Sequence, residues 1–247
     1  MLAGVLLALH FAAWVPSVRL TSVAAATALV STLPLWTALL ARAAGLRIGR
    51  RAWTGIAVSA LGIVALTGVD AALDPASLVG DGLALLGGVL AAAYVTVGER
   101  SRQHLSTAAY TVVAYTVAAL VLLGLCMALG VELLGFEARD WALIAALTVL
   151  AQLLGHTLVN SSLRTTSATV VSLVLLFEVP CSVALAALWL GQWPPPQTIP
   201  ALVLLGVGLA LVVRSARRSG EGPGDADPGV SALGGPPPRP PTSPPPG

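Results

Sequence analysis

The residues able to do chemistry are polar side chains set inside long apolar stretches. Glu178 lies near the centre of the apolar segment 168–190, two residues before Pro180. Proline lacks the backbone N–H of a helix and can leave a carbonyl free. A carboxylate beside such loosened backbone suits a proton or a cationic group; its structural alternative is a hydrogen-bonded Glu that locks neighbouring helices. Upstream, Gln152, His156, Asn160 and Arg164 recur every four residues. On a helix that spacing makes one slowly winding polar stripe, which in a bilayer must face protein or a water-filled cavity. Such a stripe either lines a path or supplies interhelical hydrogen bonds worth about 1 kcal/mol each. His10, with Trp14 one turn further on the same face, offers a second polar position; its plainer role is a histidine satisfied by a backbone carbonyl. The candidates for a substrate path or coupling site are thus Glu178, His156, Asn160, Gln152, His10 and Trp14.

Other chemistries lack their residues. No Walker loop, HExxH or Gly-x-Ser-x-Gly occurs, and the Gly206-x-Gly208 pair lies inside an apolar run, away from any phosphate. Cys126 and Cys181 also sit in apolar runs and read as packing residues, with no disulfide and no metal site. No cofactor is expected. The net charge is +2 and every one of the 13 basic residues is Arg; nothing points to nucleic acid. An enzyme is not expected, since acid–base work by Glu178 and His156 would need the two within hydrogen-bond reach.

The elements that position these residues are set by composition. Of 247 residues 56% are apolar and 10% charged, and the mean hydropathy is +0.88, whereas a soluble domain carries about 25% charged residues. A helix crosses about 30 Å of hydrocarbon with about 20 apolar residues. Eight segments qualify: 2–20, 22–44, 52–69, 80–98, 108–130, 141–163, 168–190 and 197–214. The expected fold class is all-α, a polytopic transmembrane helix bundle of about eight spans. Aromatic residues near span ends, Trp53, Trp141 and Trp193 among them, suit interfacial anchors. Glycines from Gly55 to Gly62, Gly80 to Gly88, and at Gly206 and Gly208 permit close helix approach. Asp70 to Gly80 reads as a loop, and residues 219–247 read as a disordered Pro/Gly-rich tail.

Arginines orient the spans. One set of loops holds Arg42, Arg47, Arg50, Arg51, Arg100, Arg102, Arg164, Arg214, Arg217 and Arg218; the other holds only Arg19 and Arg139. The positive-inside rule makes the first set cytoplasmic, so both termini are expected in the cytoplasm of a multi-pass cell-membrane protein. The partners expected are the lipid bilayer and a small organic solute, with proton or ion coupling; homodimerisation stays open.

The chain repeats itself. Arg19-Leu20-Thr21-Ser22 leads to Pro34 as Arg164-Thr165-Thr166-Ser167 leads to Pro180. Pro34 precedes Gly45 by 11 residues, as Pro180 precedes Gly191; His10 precedes Pro34 by 24, as His156 precedes Pro180. Gly62 and Gly206 fall at matching places. Span one therefore matches span six, and so on, a shift of five spans. An odd shift inverts one copy in the bilayer, the construction by which secondary transporters place a substrate site near the midplane. Copy two has five spans and copy one has three, so two spans that should precede residue 2 are missing.

The residues His10, Leu20-Thr21-Ser22-Val23-Ala24 and Pro34; Gly80-Asp81 opening a span through Ala93-Tyr94 to Gly98-Glu99-Arg100; Gly155-His156, Asn160 and Ser167-Ala168-Thr169; and Glu178 near Pro180 ahead of Leu190-Gly191 together resemble EamA-type transporters of the drug/metabolite transporter superfamily. The resemblance covers residues 2–214. It implies a bundle of two inverted five-helix repeats that exports or exchanges small metabolites or drugs by alternating access. Residues 1–70 would be the last three helices of the first repeat and 80–214 the whole second repeat, with a truncated start as the simplest explanation. The chain departs from the family where Gly-Glu often ends a helix: Gly45 is followed by Leu46 and Gly191 by Gln192. The alternatives are a non-transporting scaffold or a truncated fragment, and, further off, an intramembrane enzyme.

Overall fold

Apolar runs this long must satisfy their own backbone, and in lipid the helix does so within one segment. The computed structural model describes residues 1–45, 47–102, 105–155, 158 and 178–220, the side chains of Glu99, Arg100, Arg102, Thr107, Gln152 and residues 216–220 excepted. The described residues form α1 (Leu2–Leu20), α2 (Val23–Val30), α3 (Leu33–Ala43), α4 (Arg50–Leu73), α5 (Ser77–Arg102), α6 (Thr107–Ala128), α7 (Ala138–Leu147), a π-helical continuation (Thr148–Gly155), α8 (Glu178–Leu190) and α9 (Thr198–Gly220). Among the described residues there is no strand. Seven helical stretches are long and apolar enough to cross a membrane, α2 and α3 counting as one and α7 with its continuation as another. The remaining expected span, the seventh in order (168–190), is described only over Glu178–Leu190.

Local chemistry sets the boundaries. Ser22 starts α2 by accepting from Ala25 N at 3.1 Å, and Ser106 starts α6 by accepting from Ala109 N at 3.2 Å. Gly45 and Gly191, φ 91° and 68°, follow α3 and α8 in the left-handed conformation that glycine adopts without penalty. These two are equivalent positions of the sequence repeat, so both copies stop the same helix by the same means.

Three expectations are corrected. The connection read from Asp70 to Gly80 shrinks to Asp74–Ala76, where Asp74 Oδ1 accepts from Ala76 N at 3.0 Å. Helices α4 and α5 continue beyond their apolar windows because Asp70 and Asp81 are buried against protein and need no water-exposed loop. Second, the span 22–44 is broken: α2 ends at Val30 and α3 begins at Leu33, with Pro34 in its first turn. Third, the segment carrying Gln152 is π-helical, so its side chains no longer recur with α-helical spacing. The tail also begins later than expected, since α9 runs to Gly220; residues 221–247 lie outside the described residues.

Packing relies on small residues, because lipid removes the hydrophobic drive between helices and leaves van der Waals fit and hydrogen bonds. Helix α4 lies along α9, and α1 lies along α5 and α6. A Cβ added at Gly62 would stand 2.6 Å from Leu205 N, and one at Gly55 would stand 2.7 Å from Val212 N. Spans three and eight, equivalent in the repeat, thus meet at backbone contact. Ala25, Ala26, Ala28 and Leu29 of α2 fill the centre with Leu66, Ala84, Leu205 and Leu209. Leu61, Val64, Leu120 and Met127 point outward and are exposed, as lipid-facing side chains should be. Helix α7 buries none of its residues among those described.

A candidate site where a broken span meets a glycine pair

Two adjacent glycines of α5 bring three elements together. A Cβ at Gly87 would stand 3.2 Å from Trp14 Cβ and 3.5 Å from Val30 Cγ2. One at Gly88 would stand 3.0 Å from both Thr32 Oγ1 and Val30 O. Helix α5 therefore touches α1 with one glycine and the break between α2 and α3 with the next. A side chain at either position would require these neighbours to yield by a few tenths of an ångström.

The chemistry sits around this contact. His10 Nδ1 lies 2.9 Å from Gly87 O; a carbonyl only accepts, so the Nδ1–H donates. The imidazole stacks on the Trp14 indole, with centroids 5.9 Å apart and planes 10° apart, and Phe11 lies tilted against both rings. Aromatic side chains continue along α5 and α6, where Tyr94 and Tyr110 stack at 6.5 Å and Tyr115 packs beside Leu7 and Ala8. At the break, Thr32 is fully buried; it donates to Leu29 O at 2.6 Å and accepts from Trp36 Nε1 at 2.8 Å. Its hydroxyl thus joins its own backbone N–H, 3.3 Å away, on the same Leu29 carbonyl where α2 stops. Two donors are left over: Trp14 Nε1 and Ser31 Oγ are buried without a hydrogen-bond partner. A buried unpaired donor costs about 1–3 kcal/mol.

The sequence candidates divide accordingly. His10 and Trp14 come together as their spacing requires, and the carbonyl partner of His10 is Gly87. Glu178 is exposed at the start of α8. Its neighbours Val179 and Pro180 line an apolar crevice of about 90 Å³ with Ala28, Leu202, Gly206 and Leu209. His156 and Asn160 lie outside the described residues, as does the side chain of Gln152. Sequence reasoning missed Ser31, Thr32 and the separate roles of Gly87 and Gly88. A signal existed: the repeat offset that pairs His10 with His156 pairs Thr32 with Glu178. Each stands two residues before the equivalent proline, Pro34 or Pro180, and Thr32 is the N-cap of α3. Among the described residues no three His, Cys, Asp or Glu gather as metal ligands. What the site offers is stacking, hydrogen bonding and a helix break.

Comparison with known proteins bears on the family. No curated protein and no solved structure matches the chain. The model of the EamA-like transporter family matches residues 78–214, from the first turn of α5 to α9, which is the stretch read from sequence as five consecutive spans. A match over more than half the chain, on an all-helical protein with this many apolar spans, places it: the protein is a multi-pass membrane protein of the EamA-like transporter family.

Proposed function

We propose that the protein is a secondary transporter of small organic solutes that works by alternating access, with its solute site between α1, α5 and the break in the second span. The observation that carries this reading is the break itself. Discontinuous helices whose loosened backbone faces a polar cluster are how transporters of inverted-repeat construction bind substrate at mid-depth, and here the break faces His10 and Trp14 across Gly87 and Gly88. The stacked His10–Trp14 pair and the two unsatisfied donors favour a flat organic solute that carries hydrogen-bond acceptors. In this reading residues 1–70 and 80–214 are two inverted units, both termini face the cytoplasm and the protein resides in the cell membrane. Glu178, His156, Asn160 and Gln152 belong to the equivalent path in the second unit.

Reconstitution tests it. The full-length chain in proteoliposomes, loaded with a broad panel of amino acids, nucleobases, aromatic acids and cationic drugs, should exchange at least one of them. Trp14→Ala should slow that exchange at least several-fold without changing protein yield. Folded, monodisperse protein that moves nothing in the panel would overturn the proposal. Metabolite profiling of a deletion strain supplies the solute class independently.

A further inference from the structure

At the end of the bundle remote from Arg42, Arg50 and Arg51, two carboxylates are buried together. Asp81, in the second turn of α5, is 1% exposed, and Asp70, in the last turn of α4, is 7% exposed. The two lie close enough for their charges to interact. Both oxygens of Asp81 and Oδ2 of Asp70 are buried with no hydrogen-bond partner. The Thr21 hydroxyl, just past α1, neighbours Asp81 without the geometry of a hydrogen bond, and is itself unsatisfied. Ser77 stands four residues before Asp81, on the same face of α5; it is 6% exposed and its Oγ also lacks a partner. The backbone approaches closely here, since a Cβ at Gly80 would stand 2.8 Å from Thr21 N.

Five buried oxygens without a hydrogen-bond partner therefore sit on three neighbouring elements. Two carboxylates side by side in a low-dielectric setting cannot both stay charged and uncompensated. The α5 N-terminus supports one negative charge at Asp81, whereas Asp70 stands at the negative end of α4. Among the described residues no basic group offsets the second. On α1 the nearest charged residue in sequence, Arg19, is exposed, as are Asp74 in the connection and Glu132, Glu137, Arg139 and Asp140 around the α6–α7 connection. Helices α2 and α6 carry no charged residue, and the one on α3, Arg42, is in its last turn at the opposite end. We infer that Asp70, Asp81, Ser77 and Thr21 form a binding site for a single monovalent cation, a proton or a sodium ion, at the outer end of the bundle. Oxygen ligands alone suit either, and the absence of a third acidic side chain among the described residues argues against a divalent ion. The cluster ties the first unit, through α1 and α4, to α5, the first helix of the second unit. Occupancy then couples a charge to the relative position of the two units; this coupling rests on the transport reading above, but the binding does not.

The test separates the two. Purified full-length protein is melted in detergent at pH 5 and pH 8, and at pH 8 in sodium chloride against choline chloride of equal ionic strength. A ligand that binds only the folded state raises the melting temperature. Wild type should be stabilised in one arm: by acid alone for a proton, by sodium for a sodium ion. Asp81→Asn and Asp70→Asn, which keep shape while removing charge, should each abolish that response and melt above wild type in the unliganded condition. Ser77→Ala should weaken the response without abolishing it, and serves if an Asn variant does not fold. Asn variants that keep the full wild-type response overturn the site, as does a wild type that responds in neither arm. Solute exchange is then measured in proteoliposomes with and without the cation gradient. Cation-dependent melting with no solute movement defeats the transport reading and leaves the site standing. Gradient-driven exchange unchanged in Asp81→Asn defeats the coupling and leaves transport standing.

Discussion

A single hydroxyl holds the broken span together. Thr32 Oγ1 donates to Leu29 O and receives Trp36 Nε1, so replacing it removes both side-chain bonds and leaves Trp36 Nε1 unpaired, while Leu29 O keeps the Thr32 N–H. Thr32→Val is nearly isosteric and should destabilise the folded protein by about 1–3 kcal/mol, the cost of leaving buried polar groups unpaired; Thr32→Ser should restore most of it. Unfolding in mixed micelles followed by circular dichroism checks both. His10 carries less: its bond to Gly87 O and its stack on Trp14 predict a loss of about 1 kcal/mol in His10→Ala by the same measurement. An unchanged midpoint for Thr32→Val would mean that the break is held by neighbouring helices instead. His10 and Trp14 were legible in the sequence because a polar and an aromatic residue one turn apart stand out in an apolar run. Ser31 and Thr32 were not, because small hydroxyls are common in membrane helices and only a helix end gives them work.

Between elements, glycine decides distance. An added Cβ at Gly208 would collide with the Ser59 backbone, whereas one at Gly206 meets nothing within 4 Å. Gly208→Val should therefore separate α4 from α9 and cost about 1–3 kcal/mol as overpacking, while Gly206→Val, two residues away on the same helix, should be nearly neutral. Comparing their thermal melting in one detergent decides the matter; equal effects would show that helix propensity outweighs contact. The sequence placed small residues on these spans but did not say which touch. That depends on helix rotation, which an almost uniformly apolar helix does not encode. The same limit explains the connection at Asp70 to Gly80. Asp70, beside Asp74-Pro75, looks like solvated loop and Asp81 like the start of a span, and only their burial shows them to be structural.

At the scale of the molecule, the loop arginines predict an orientation that can be checked from outside the cell. In a background with Cys126 and Cys181 replaced by Ser, a cysteine at Ala76 should react with a membrane-impermeant maleimide in intact cells. A cysteine at Gly49 should react only after permeabilisation. Reversed labelling would place both termini outside. The membrane architecture follows from the sequence alone: uninterrupted apolar runs of span length can satisfy their backbone in lipid only as helices, and arginine counts are read loop by loop without any contact. The repeat is likewise read from spacing alone, and its two matching glycines, Gly45 and Gly191, both have positive φ. What the tertiary structure alone decided is adjacency. It set the broken span against Gly87 and Gly88, set His10 on a carbonyl of α5, and buried Asp70, read as loop, together with Asp81, read as the start of a span. Each depends on which narrow face of a helix meets which neighbour, and in a chain this apolar that choice is made by close packing of small residues rather than by any pattern of polarity along the sequence.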